Sequence, residues 1–289
     1  MFGSLIPCCA SAADARLARR ARRLARVTAG ADDDLSRTLA IEAGERLVEL
    51  RSRGGDPKAL RDAGDRLSHE YLTAELARLR PGDAVLSEEG ADDRARLSAR
   101  RVWIVDPLDG TREFGEAGRT DWAVHVALWA DGDLTAGTVA LPAAGHVLST
   151  ADRARPARPS RGDGPLRILV SRSRPPAIAS AMAAELGAEL IGMGSAGAKA
   201  AAVIMGQADA YVHSGGQYEW DSAAPVAVAR AAGLHASRVD GSPLAYNQAD
   251  PSVPDILICP IELAEPLLSA INRAQSKSDP ELAHGADAH

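Results

Sequence analysis

Hydrophobic positions along this chain first fall at helical spacing. From Asp34 onward, Leu35, Leu39, Ile41, Ala43, Leu47, Val48 and Leu50 recur mostly at steps of three and four, until the turn residues Gly54-Gly55-Asp56-Pro57 intervene. That spacing predicts an amphipathic helix. A second helix is predicted over 66–79, ending before Pro81-Gly82. The pattern then changes to that of strands: Val85-Leu86 is short and apolar, and Arg101-Val102-Trp103-Ile104-Val105 is a buried run. Segments 122–129, 134–141 and 146–149 predict an antiparallel meander with Asp131-Gly132 at a turn.

Residues 151–164 (ADRARPARPSRGDG) are rich in Pro, Arg and Gly and carry no apolar periodicity, which marks a boundary. Beyond it strands and helices alternate: strand 166–170, helix 177–186, strand 190–193, helix 196–205, strand 210–213, helix 222–232, strand 255–259 and helix 261–274. Such alternation predicts an α/β layer with helices on the faces of a sheet. The expected organisation is a basic, flexible extension over 1–30, an N-terminal α+β metal-binding domain over 31–155, and a C-terminal α/β domain over 156–289 with a flexible tail from about 276.

Composition narrows the class. With 46% hydrophobic and 25% charged residues in 289, the chain can bury a substantial core. No apolar run approaches the roughly 20 residues of a membrane-spanning helix, and the start lacks the pattern of a signal peptide. Cys8, Cys9 and Cys259 form neither a disulfide framework nor a zinc spacing. A cytoplasmic protein without stable membrane association is expected. The formal charge of −6 argues against nucleic-acid partners, because phosphate backbones select basic surfaces. Arg16, Arg19, Arg20, Arg22, Arg23 and Arg26 crowd the first thirty residues; they suit a basic arm or a solvated extension.

The candidate chemistry is acidic. In Val105-Asp106-Pro107-Leu108-Asp109-Gly110-Thr111, an apolar strand delivers Asp106 at its end and Gly110 permits a tight turn that turns Thr111 to the same pocket. Two such carboxylates repel each other unless protons or cations intervene, and hard oxygen donors suit magnesium. An ordinary acidic turn would use the same residues. Two further acidic spots follow a short strand (Ser87-Glu88-Glu89-Gly90) and open a helix (Glu219-Trp220-Asp221-Ser222). Alone, the first fits a solvated loop and the second a helix cap. Together the three supply the oxygen set of a two-metal phosphoryl-transfer site.

Ser87-Glu88-Glu89, Trp103-Ile104-Val105-Asp106-Pro107-Leu108-Asp109-Gly110-Thr111 and Trp220-Asp221-Ser222-Ala223-Ala224-Pro225, in that order and at those separations, resemble the signature set of the inositol monophosphatase superfamily over residues 34–275. The resemblance implies a layered αβαβα sugar-phosphatase fold. It further implies that Glu88, Asp106, Asp109, Asp221 and the carbonyl of Leu108 ligate two or three Mg2+ ions, and that lithium inhibits. Thr111, with Asp65 and Glu88, is implied in catalysis, though the family's usual lead-in to Asp65 is absent here. Gly192-Met193-Gly194-Ser195-Ala196-Gly197-Ala198-Lys199 resembles the family's substrate loop, so Gly194, Ser195 and Ala196 are implied to meet the substrate, with Gly110, Thr111 and Asp221.

Within the superfamily, Asp109-Gly110-Thr111-Arg112-Glu113-Phe114 and the segment 240–248 (DGSPLAYNQ) are similar to CysQ-type bisphosphate nucleotidases. That similarity implies removal of the 3′-phosphate from 3′-phosphoadenosine 5′-phosphate, and from its 5′-phosphosulfate form, in sulfur assimilation. An inositol-1-phosphate or fructose-1,6-bisphosphate phosphatase is the alternative within catalysis, and a non-catalytic phosphometabolite-binding module the alternative outside it. The partner is then a small phosphorylated molecule, and the resemblance suggests a monomer or homodimer. Lys199, His213 and Tyr246 are either substrate contacts or packing residues.

Overall fold

Two antiparallel-packed helices precede the first strand in the computed structural model, which describes residues 32–152 and 164–278. The basic extension, most of the 151–164 segment and most of the expected tail lie outside the described residues. Helix α1 spans Asp32–Ser52 and α2 spans Pro57–Leu79. The second starts nine residues before the predicted point. Gly54-Gly55-Asp56-Pro57, which ends α1, also begins α2: the Asp56 carboxylate accepts from Ala59 N at 2.9 Å and Pro57 occupies the first turn, where its missing N–H costs nothing.

The first sheet is β1 (Ala84–Ser87), β2 (Arg101–Asp109), β3 (Ala123–Ala130), β4 (Asp133–Leu141) and β5 (His146–Ser149), in that spatial order. Only the β1–β2 pair is parallel. Between β2 and β3 a short helix, α3, spans Thr111–Gly115; the sequence pattern did not predict it because five residues hold no period. The second sheet has the order β7-β6-β8-β10-β9, from β6 (Arg167–Ser171), β7 (Glu189–Met193), β8 (Ala210–Tyr218), β9 (His235–Ser237) and β10 (Ser252–Cys259). Strands β6, β7 and β8 run parallel, and β10 runs antiparallel to β8 and β9. Its helices are α4 (Ala177–Leu186), α5 (Ala196–Ile204), α6 (Glu219–Ala231) and α7 (Ile261–Ser278).

Side-chain alternation fixes five layers. On β2, Trp103 and Val105 face the α1–α2 layer while Val102 and Ile104 face α5 and α6. On β10, Ile256 and Ile258 face those same two helices, whereas Leu257 and Cys259 face α4 and α7. Both sheets are thus covered on both faces, which explains their continuous apolar runs. The resulting αβαβα stack matches the expected fold. Helices α5 and α6 lie between the sheets, and small residues let them fit: a Cβ on Gly137 of β4 would lie 2.6 Å from the Cβ of Ala227 on α6. No helix among the described residues is long and apolar enough to cross a membrane.

Candidate active site

The acidic residues meet where β2 ends against the middle helices. Strand β2 runs on through Asp109, beyond the predicted end at Val105, and its pairing with β3 shifts register between Asp106 and Asp109. Asp106 is 1% exposed and Asp109 6%. Helix α6 begins at Glu219, three residues earlier than predicted, so Asp221 lies in its first turn and accepts from Tyr218 N at 2.7 Å. One carboxylate oxygen each from Asp106, Asp109 and Asp221 lies within 4.8 Å of the others. Glu88 follows β1 at the solvent edge, outside that trio, yet close enough for its carboxyl to feel Asp221, Asp106 and Asp109.

Removal from water and mutual repulsion both oppose ionisation here. Burial, then the charges of Glu88 and Asp109, hold the Asp106 carboxyl well above its usual range. Burial and Asp221 raise Glu88 to about 7, and burial and Asp109 raise Asp221 to about 6. Asp109 goes the other way. Burial alone would raise it, but the nearby His125 ring, Lys199 and the Ser195 hydroxyl together hold it below the usual carboxylate range. Its Oδ2 accepts from Ser195 Oγ at 2.5 Å and Gly197 N at 2.7 Å, and Oδ1 accepts from Ala196 N at 3.1 Å. Asp109 thus caps the start of α5, where free N–H groups favour an anion.

His125 completes this arrangement and was not singled out by sequence reasoning. It is fully buried on β3; Nε2 lies 3.2 Å from Asp109 Oδ2 and Nδ1 lies 3.0 Å from the Trp220 carbonyl. The available signal was one polar residue in the apolar run 122–129. Gly197 faces it so closely that a Cβ there would stand 2.1 Å from His125 Nε2.

Thr111 opens α3, and its Oγ1 lies 2.9 Å from the Leu108 carbonyl and 3.3 Å from Asp65 Oδ1 on α2. A hydroxyl has one proton for these two acceptors. Burial and the Glu89 charge raise Asp65 to about 7. Leu108 is held by its N–H, which donates to Asp106 Oδ1 at 3.0 Å. Gly110 has a φ of 83°, and a Cβ there would lie 3.1 Å from that of Ser195. The predicted substrate residues Gly110, Thr111, Gly194, Ser195, Ala196 and Asp221 all line one open cleft of about 210 Å3. Gly194 N donates to Asp121 Oδ2 at 2.8 Å, and Ser195 carries an uncommon φ of 51°.

Lys199 and His213 also line the cleft. Lys199 Nζ donates to the Ser195, Gly194 and Met193 carbonyls at 2.5, 3.3 and 3.4 Å, so it ties down the loop before α5. Tyr246 is a packing residue, 4% exposed in the core between the sheets with its hydroxyl 3.3 Å from Ser222 Oγ. Sequence reasoning missed Arg172 and Arg174, which line the cleft beyond the end of β6; carboxyl ends of parallel strands are the usual place for ligands. Arg172 bridges the two sheets' loops by pairing with Glu113 at 2.7 Å and Glu116 at 2.9 Å.

The donor set fits hard divalent cations: it is all oxygen, crowded, and raised in pKa by its own repulsion. Comparison with known proteins agrees. The sequence profile of the inositol monophosphatase family matches residues 21–276. A Mycobacterium leprae protein named 3′-phosphoadenosine 5′-phosphate phosphatase is 54% identical over 252 residues, covering 83% of this chain and 93% of its own. The Escherichia coli 3′(2′),5′-bisphosphate nucleotidase CysQ is 33% identical over 200 residues, 64% of this chain and 78% of its own. Among solved structures, inositol monophosphatase-II from Staphylococcus aureus superposes with a TM-score of 0.70 at 22% identity, covering 87% of this chain and 97% of that one, which speaks for the fold.

Proposed function

Because this chain belongs to the inositol monophosphatase family, we propose that it is a magnesium-dependent phosphomonoesterase that removes the 3′-phosphate of 3′-phosphoadenosine 5′-phosphate, leaving AMP and phosphate. The observation that carries the chemistry is the meeting of Asp106, Asp109 and Asp221 oxygens within 4.8 Å, with Asp109 and Asp221 lining an open cleft. The 54% identity to a relative named for that substrate supports the choice of substrate.

In this reading Glu88, Asp106, Asp109, Asp221 and the Leu108 carbonyl hold the ions. Magnesium bound there compensates the charge of the phosphate and strengthens water as a nucleophile. Thr111, held by the Leu108 carbonyl and Asp65, orients the attacking water through its hydroxyl. Asp65 is raised to about 7, close to the working pH expected of a group that takes a proton during catalysis. Asp109 is fixed by the start of α5 and by His125, so its position does not depend on rearrangement when substrate arrives. Gly194, Ser195 and Ala196 border the organic part of the substrate.

Phosphate release from 3′-phosphoadenosine 5′-phosphate, inositol 1-phosphate and fructose 1,6-bisphosphate, with Mg2+ and with chelator, tests the reading. Magnesium-dependent release with the nucleotide strongly preferred is expected. Faster release from inositol 1-phosphate, or release that survives chelation, would overturn it.

A further inference from the structure

Two residues of one strand that line the cleft each keep a buried acceptor atom without a donor among the described residues. His213, 5% exposed, and Gln217, 6% exposed, both stand on β8 and both line the cleft. His213 Nε2 lies 2.9 Å from the Gly215 carbonyl. A carbonyl only accepts, so Nε2 carries the proton. Burial lowers the His213 pKa, which keeps the ring neutral and makes Nδ1 a lone-pair acceptor; that atom has no partner among the described residues. Gln217 Nε2 donates to the Tyr211 hydroxyl at 2.7 Å, and Gln217 Oε1 is likewise without a partner there.

The strand is kinked between the two. Between Ser214 and Gln217 β8 advances three residues while its partner β10 advances two, from Asp255 to Val253. The extra residue falls at Gly215-Gly216, whose φ values of 91° and 75° suit glycine. The kink returns the Gln217 side chain to Tyr211, whose ring centroid lies 6.5 Å from that of His213. Buried polar atoms are costly to leave unpaired, so two of them on residues that line a cleft point to donors on a ligand.

We propose that His213 Nδ1 and Gln217 Oε1 form an acceptor pair that reads an exocyclic amino group on the substrate's base, selecting amino-bearing purine nucleotides over their oxo counterparts. The count decides the chemistry. One planar amino group presents two N–H bonds, matching two acceptors, whereas a ribose hydroxyl presents one. An oxo group in the same place sets oxygen lone pairs against both acceptors and leaves them unpaired. The inference rests on the nucleotidase reading above and deepens it.

The test compares adenosine 3′,5′-bisphosphate with inosine 3′,5′-bisphosphate by kcat/KM, and the binding of 5′-AMP with that of 5′-IMP by calorimetry. The amino compound is expected to be favoured by about tenfold or more in both. Gln217→Leu and His213→Phe should each shrink that preference to about threefold or less, and His213→Asn, which restores an acceptor, should recover part of it. Circular dichroism and melting temperature identify any variant that fails to fold, in which case the wild-type AMP/IMP ratio still decides. Equal use of both bisphosphates by an active enzyme, or a preference for the inosine compound, overturns the acceptor pair. An enzyme inactive on both overturns the nucleotidase reading instead.

Discussion

Replacing Asp106 by Asn should make the metal-free protein more stable while abolishing its activity. Asp106 is buried with Asp109 and Asp221 oxygens within 4.8 Å. At that separation and an effective dielectric of about 20, each ionised pair costs about 3.5 kcal/mol. The folded chain avoids most of this by keeping a proton on Asp106, whose carboxyl is held well above the usual range by burial and by Glu88. Asparagine keeps an Oδ1 to accept from Leu108 N, now at 3.0 Å, and turns an N–H toward Glu88 where a second carboxylate stood. Relief of a strained functional site typically returns about 1–2 kcal/mol, and each kcal/mol moves the melting temperature of a chain this large by about 2–4 °C. Thermal denaturation at pH 8 in chelator and in Mg2+ measures both sides. The variant should melt higher than the parent in chelator, gain little from Mg2+, and release no phosphate. A variant no more stable than the parent without metal, or as strongly stabilised by Mg2+, would refute the electrostatic account.

Gly197→Ala should cost about 1–3 kcal/mol by overpacking, since its Cβ would stand 2.1 Å from His125 Nε2; denaturant unfolding measures it, and an unchanged midpoint would show that α5 moves freely. Thr111→Ala should lower kcat by about 100-fold with KM little changed, because the hydroxyl bridges Asp65 and the Leu108 carbonyl; steady-state kinetics would show a KM effect instead if the hydroxyl only binds. The metal-free protein should lose stability as pH rises from 5 to 8. Glu88, Asp65 and Asp221 are raised to about 7, 7 and 6, so the folded form holds more protons in that window and their contribution, full at low pH, is lost as each ionises. Melting temperatures in chelator across that range check this, and Mg2+ should flatten the slope.

The layers were legible because strands such as 101–105 are apolar on both faces, which only a sheet covered on both sides requires. The far half of β8 was not. Residues 214–218 contain two glycines and are held in the sheet by pairing with β10, a contact more than thirty residues distant that no local preference signals. The site divides the same way. Asp106, Asp109 and Asp221 stand at a strand end and a helix start, places that motif and periodicity mark together. His125, the cap that α5 places on Asp109, the Arg172 bridge and the two orphan acceptors of β8 arise from the packing of distant elements. Their chemistry is visible only once Gly197 and the Gly215-Gly216 kink have set the distances.

The thin middle layer gives the fold a fixed gauge. Asp106 and Asp109 ride on the first sheet and Asp221 on α6, whose Ala227 meets Gly137 with no space for another carbon. The spacing of the carboxylates is therefore the thickness of a stratum of alanine and glycine. Enlarging those residues to harden the interior would wedge the strata apart and unseat the acidic trio.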